Sequence, residues 1–203
     1  MLTVVTPAKS RLLTTVPAAR DHLLLGDDVD ETYLRDLIAQ ASAAIVSHCR
    51  RAFARETVRE TFRPRGSAPL ILDRTPVAGA VTLTVAGQAV DADGTELNTL
   101  SGLLYRLDGA ARWTAWGCDA TAVEYTGGYA LPGEPDRDLP ADIEEACLIM
   151  VAARHAARGR DPMLRSETTE GVGSASFIAT ADMSGMPPQA AALLEPYRRW
   201  VVA

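Results

Sequence analysis

The sequence predicts an α+β fold: a helical, bundle-like domain interrupted by a small antiparallel β-insertion, with an extended N-terminal arm and a C-terminal helix. Three observations carry this. Leu34, Leu37, Ile38, Ala41 and Ile45 repeat at the i, i+3, i+4, i+7 spacing of a one-sided helix. Between 57 and 129 the period drops to two: Val81, Leu83 and Val85 alternate with Thr82 and Thr84, and turn signals fall at Gly87, Gly94, Gly109 and Gly127. At Pro140 the helical pattern returns. The expected organisation is an arm over 1–13, a helical domain over 14–56 and 136–203, and the β-insertion over 57–135.

Each element has a local cause. The first dozen residues show no clear period and read as an extended arm. Thr14 or Thr15 caps a short helix with Pro17 in its first turn and Gly26 as its stop. Asp27, Asp28, Asp30 and Glu31 lie where a helix N-terminus favours negative charge, and Arg50 and Arg51 complement the far end of a helix expected over 31–53. Leu104 to Leu107 and Val123 to Tyr125 are further short apolar runs of the insertion, with Pro64 and Pro76 at strand ends or edges. Short strands with frequent turns imply a small antiparallel sheet or barrel.

The Pro140 helix has Asp142, Glu144 and Glu145 near its start, Arg154, His155 and Arg158 in its last turns and Gly159 as its stop. Between Ala146 and Ala153 it is apolar almost all round, so it needs cover on more than one side. Residues 161–186, rich in Ser, Thr, Gly and Met, are too long for an ordinary connection. Pro187-Pro188 opens a final helix over 189–202, bent or interrupted at Pro196, with Leu193, Leu194, Tyr197, Trp200 and Val201 on one side.

Composition narrows the function. At 203 residues and 47% hydrophobic, the chain can bury a full core. No apolar run approaches the roughly 20 residues of a membrane span, and Lys9 and Arg11 are not followed by a stretch of signal-peptide length. Cys49, Cys118 and Cys147 are odd in number and widely spaced, so they read as reduced side chains and not as a disulfide framework or zinc ribbon. A net charge of -6 disfavours tight nucleic-acid binding.

No catalytic, cofactor or metal site is expected. His48 beside Cys49, and Cys147 eight residues before His155, do not match the close ligand pairs of zinc sites. There is no GxSxG elbow. Glu170-Gly171-Val172-Gly173-Ser174 lacks the lysine of a phosphate loop and reads as a hinge or as a strand added to a neighbour. Asp142, Glu144 and Glu145 are explained by the helix dipole, and Trp113 and Trp116 by core packing or an interface. Tyr197-Arg198-Arg199-Trp200 has the residue types of interface hot spots on an amphipathic helix. That Tyr197 and Trp200 close the helical core is an equal alternative.

Several segments, in order, carry a resemblance: Tyr33 to Ile38, Arg50-Arg51, Asp73-Arg74-Thr75-Pro76-Val77, Tyr125-Thr126-Gly127-Gly128-Tyr129, the Pro140 helix, Arg160-Asp161-Pro162, Ser166-Glu167 followed by Gly171-Val172-Gly173, and Leu193-Leu194-Glu195-Pro196-Tyr197-Arg198. Together they are similar to the head-tail connector (adaptor) proteins of long-tailed phages and gene transfer agents. The resemblance implies a ring, dodecameric in the family, that docks beneath the portal protein in the particle neck and bridges it to a stopper or tail-completion protein. It implies a virion protein made in the bacterial cytoplasm, with DNA passing through the ring without sequence-specific binding and no membrane involvement. On that reading Leu193, Leu194, Tyr197, Arg198, Arg199 and Trp200 face the portal. Ser166, Glu167, Gly171, Gly173, Phe177 and Ile178 belong to a segment that is mobile in the free subunit and meets a neighbouring copy. The rival readings are a small enzyme or ligand-binding protein, and another ring protein of the same particle, such as a stopper.

Overall fold

The computed structural model of the chain describes residues 1–26, 28–64, 66, 68–158, 166–169, 173–176 and 186–199. In chain order these form β1 (Leu2–Thr6), α1 (Val16–His22), α2 (Glu31–Cys49), β2 (Glu56–Phe62), β3 (Leu70–Ile71), β4 (Val77–Val85), β5 (Gln88–Val90), β6 (Thr95–Asn98), β7 (Leu103–Leu107), β8 (Trp113–Thr114) and β9 (Thr121–Gly127). Then follow α3 (Ala141–Ala156), β10 (Ser166–Thr169), β11 (Gly173–Ser176) and α4 (Pro188–Leu194). The fold is α+β, with antiparallel pairing throughout its sheets. The chain divides into a β unit, Met1–Arg11 with Arg51–Leu139, and a helical unit, Leu12–Arg50 with Pro140–Ala203.

In the helical unit the local signals act as their chemistry dictates. The Thr15 hydroxyl accepts the Ala18 N–H at 3.3 Å and starts α1, and the Asp30 carboxylate accepts the Thr32 N–H at 2.9 Å and starts α2. The apolar stripe of α2 is buried from Leu34 through Cys49. This helix ends at Cys49, short of the expected Phe53, because Arg50 adopts a left-handed conformation (φ 53°) and turns the chain out. α1 likewise stops at His22, ahead of Gly26, with Leu24 at φ 53°. The mostly apolar α3 packs against α1, α2 and α4, which is the many-sided cover its composition requires. Buried polar groups join the helices: the Leu13 N–H donates to Ser42 Oγ at 3.0 Å, and the Thr14 hydroxyl to Glu144 at 3.0 Å.

The final helix is interrupted near Pro196, where the sequence places its bend or break. α4 ends at Leu194, a 3-10 turn covers Glu195–Tyr197, and Arg198 is extended. Pro196 is the cause, since its ring removes a helical N–H donor and clashes with the carbonyl four residues back.

The β unit holds a five-stranded sheet in the order β1-β2-β9-β4-β5 and a smaller sheet, β3-β7-β6, with β8 also on β7. Val58, Val77, Leu83, Val123 and Tyr125 from the first, Leu70 and Leu104 from the second, and Leu72 and Trp116 beside them form one core. The N-terminal segment, read from sequence as an extended arm, contains β1, antiparallel to β2. An edge strand exposed along most of its length carries no alternation to read.

Candidate interface surfaces

Two motifs that are distant in sequence, 73–77 and 125–129, are built onto each other. On β2, Glu56, Val58 and Glu60 all point into the unit and are buried. The Glu60 carboxylate accepts the Asp73 N–H at 2.7 Å and the Tyr125 phenol, and that phenol oxygen accepts the Arg74 N–H at 2.8 Å. Glu56 is held by the guanidinium of Arg74 at 3.2 Å and that of Arg11 at 3.0 Å. Arg51 donates to the carbonyl and hydroxyl of Thr75, which precedes a cis proline, Pro76. Buried carboxylates persist only when so partnered. Burial, the Glu60 bond and its nearby charge push the Tyr125 phenol well above its ordinary pKa of 10.0, so it stays neutral and donates.

The paired glycines let the backbone close over this loop. A Cβ on Gly127 would lie 2.2 Å from the Arg74 carbonyl oxygen, and one on Gly128, at φ +100°, would lie 2.5 Å from that of Ala54. The Gly128 N–H reaches the Pro76 carbonyl at 2.8 Å, and the Tyr129 N–H that of Phe53 at 2.7 Å. Arg55 then pairs with Asp138 at 2.5 Å. The two segments that lead out of the β unit, near 51–55 and 128–139, are thereby tied together within it.

The C-terminal candidates fall into two groups. Leu194 is fully buried in the helical unit and supports the segment from within. Leu193, Tyr197, Arg198 and Arg199 are half-buried. The Tyr197 phenol donates to Asp142 at 3.3 Å, Arg198 pairs with Glu195 at 3.1 Å, and the Arg199 N–H donates to the Cys49 carbonyl at 2.9 Å. This segment therefore lies across the start of α3 and the end of α2. Trp200 lies outside the described residues.

Of the other candidate segment, Ser166 and Glu167 begin β10 and Gly173 begins β11. Gly171, Phe177 and Ile178 lie outside the described residues.

Of the residues weighed as ligands, His155 and Cys147 have side-chain partners, whereas His48 Nε2 is buried without a hydrogen-bond partner among the described residues. His155 Nδ1 meets the Tyr33 phenol at 3.0 Å, and the Arg158 guanidinium stacks 4.3 Å from the same ring. Cys49 and Cys147 are buried and Cys118 is exposed. Burial pushes the Cys147 thiol up to about 12 against a weaker downward pull from Ser42. Among the described residues no group of three or more His, Cys, Asp and Glu could hold a metal, and no helix is long and apolar enough to cross a membrane.

Two further surfaces stand out, one of them at Trp113, which the sequence assigns with Trp116 to core packing or an interface. Trp113 is 63% exposed yet ordered, stacked on Tyr105 at 4.4 Å with its indole N–H on Glu96 at 2.8 Å. β1 offers a strand edge that is unpaired among the described residues and whose signal, an uncharged run of threonine and valine, was present in the sequence.

No family model matches the chain, and no curated protein matches it by sequence. Solved structures do. A chain of the virion of a native gene transfer agent (GTA) particle superposes with a TM-score of 0.61 at 20% identity, over 100% of this chain and 97% of its own. A chain from the neck of an empty GTA particle, computed with C6 symmetry, gives 0.59 at 21% identity with the same coverage. One from the neck of a native GTA particle, computed with C12 symmetry, gives 0.57 at 22% identity, again over 100% and 97%. The likeness is one of fold, and it spans both units.

Proposed function

We propose that the chain is a connector (adaptor) subunit of the neck of a phage or gene transfer agent: copies close into a ring of twelve beneath the portal protein, bridge it to the next neck or tail protein, and surround the DNA channel. The observation that carries this reading is the end-to-end likeness of fold to chains of GTA neck structures computed with sixfold and twelvefold symmetry. The site geometry fits such a role. Its buried ion pairs and close-packed glycines secure a scaffold. The net charge of -6 suits a ring that lets DNA pass without holding it. Portal docking falls to the segment ending at Trp200. Electron microscopy of the particle neck tests the assignment: density for this chain in a ring touching the portal is expected, whereas density only on the tail side of another ring would make it a stopper.

A further inference from the structure

The five-stranded sheet ends on β1, whose outer edge is unpaired among the described residues. The Thr61 N–H donates to the Met1 carbonyl at 2.8 Å and the Met1 amine returns a bond to Thr61 at 2.8 Å. Bonded and non-bonded pairs alternate along an antiparallel ladder. Leu2 and Val4, opposite Glu60 and Val58, therefore turn their own N–H and C=O groups to the free edge. Natural edges are guarded by charge, proline or a bulge. Leu2–Thr6 contains neither charge nor proline, and its one register shift lies past Val4. β5, at the opposite edge, has only three residues.

The helical unit holds the complementary element. β10 and β11 pair with each other and with no other strand among the described residues. A lone two-stranded ribbon is marginal in water and gains most from a third strand. Residues 166–176 include Glu167 and Glu170 and no base, whereas residues 1–11 include Lys9 and Arg11 and no acid. Charge thus favours their meeting.

We propose that the β10–β11 hairpin of one copy adds to the β1 edge of the next, continuing the five-stranded sheet across the subunit boundary. The contact joins unlike surfaces, the heterologous kind that closes into rings. It rests on the ring reading above and names the two faces that make the ring.

Lys9 is the only lysine of the chain, and a zero-length carbodiimide link at its amine is told from one at the Met1 amine because it blocks tryptic cleavage after Lys9. Neck assemblies would be reconstituted on the portal from equal parts of isotopically light and heavy chain, cross-linked and digested. Links from Lys9 to Glu134 or Asp136, which line one groove with it, serve as the same-chain standard. The expected result is Lys9 joined to Glu167 or Glu170 in mixed light–heavy pairs. Rings that carry the standard but no such mixed pair, or only a same-chain pair, overturn the contact alone. Absence of rings in micrographs overturns the connector reading and the contact with it. As a second measurement, Val4→Pro removes an outward donor and spares the β1–β2 ladder. It is expected to leave the subunit's melting unchanged and weaken each ring contact roughly tenfold. Undiminished rings of folded Val4→Pro protein also overturn the proposal.

Discussion

At Gly127 the chain passes so near the Arg74 carbonyl that an added Cβ would stand 2.2 Å from its oxygen, with backbone and not a movable side chain in the way. Gly127→Ala is therefore expected to destabilise the protein by about 3 kcal/mol, or to block folding. Gly79, at φ +95° with nothing within 4 Å, is the control: alanine there meets only backbone strain of roughly 1 kcal/mol, and urea melts rank the two. Tyr125 gives a pH test. Its folded pKa is raised above the ordinary 10.0, so its contribution is complete below that value. As pH climbs past it, the unfolded chain releases a phenol proton that the folded chain keeps, and stability falls. Tyr125→Phe, which also loses the bonds to Glu60 and Arg74, is expected to be less stable at about pH 8 but to lose less between about pH 8 and pH 11. Denaturant melts of both proteins across that range check the sign.

At the scale of elements, the helices were legible because their causes are local. Leu34 through Ile45 report a face, Asp30 and Thr15 report starts, and Pro140 reports a boundary. Ends were harder to read: Arg50 accepts a left-handed conformation that ordinarily calls for glycine. Arg50→Gly should accordingly raise stability by about 0.5–1 kcal/mol, seen as a higher melting temperature. A lowered one would mean that the arginine side chain contributes more than its backbone strain costs. The β unit was legible in period but not in partnership. Asp73-Arg74 and Tyr125 showed as motifs, yet their mutual packing, with Glu56 and Glu60 turned inward beneath them, is a long-range fact that no local pattern encodes. β1 was read as extended but not as a paired strand because an exposed edge leaves no alternation, and the inward carboxylates of β2 mimic the polar face of an ordinary strand.

For the whole molecule, the connector role proposed above asks how a ring of this chain would hold a portal, and the C-terminal segment offers two kinds of residue. Leu194 is fully buried, so Leu194→Ala should cost about 2–5 kcal/mol of folding stability whatever the partner. Tyr197 and Arg199 are half-buried and bonded to Asp142 and Cys49, which ties the segment to the helical unit up to residue 199. If Trp200 is the aromatic anchor of the portal contact, its truncation removes about 2 kcal/mol or more of binding, whereas charges at an exposed rim contribute well under about 1 kcal/mol. Trp200→Ala is then expected to weaken portal binding at least tenfold more than Arg199→Ala, with little change in the melting of the free subunit. The competing account places Trp200 in the subunit's own core and expects the melt to drop by several degrees before any portal is added. Melting curves and portal-binding assays on the same two variants separate these accounts. Full portal binding by a folded Trp200→Ala protein eliminates the anchor and moves the docking surface elsewhere on the ring.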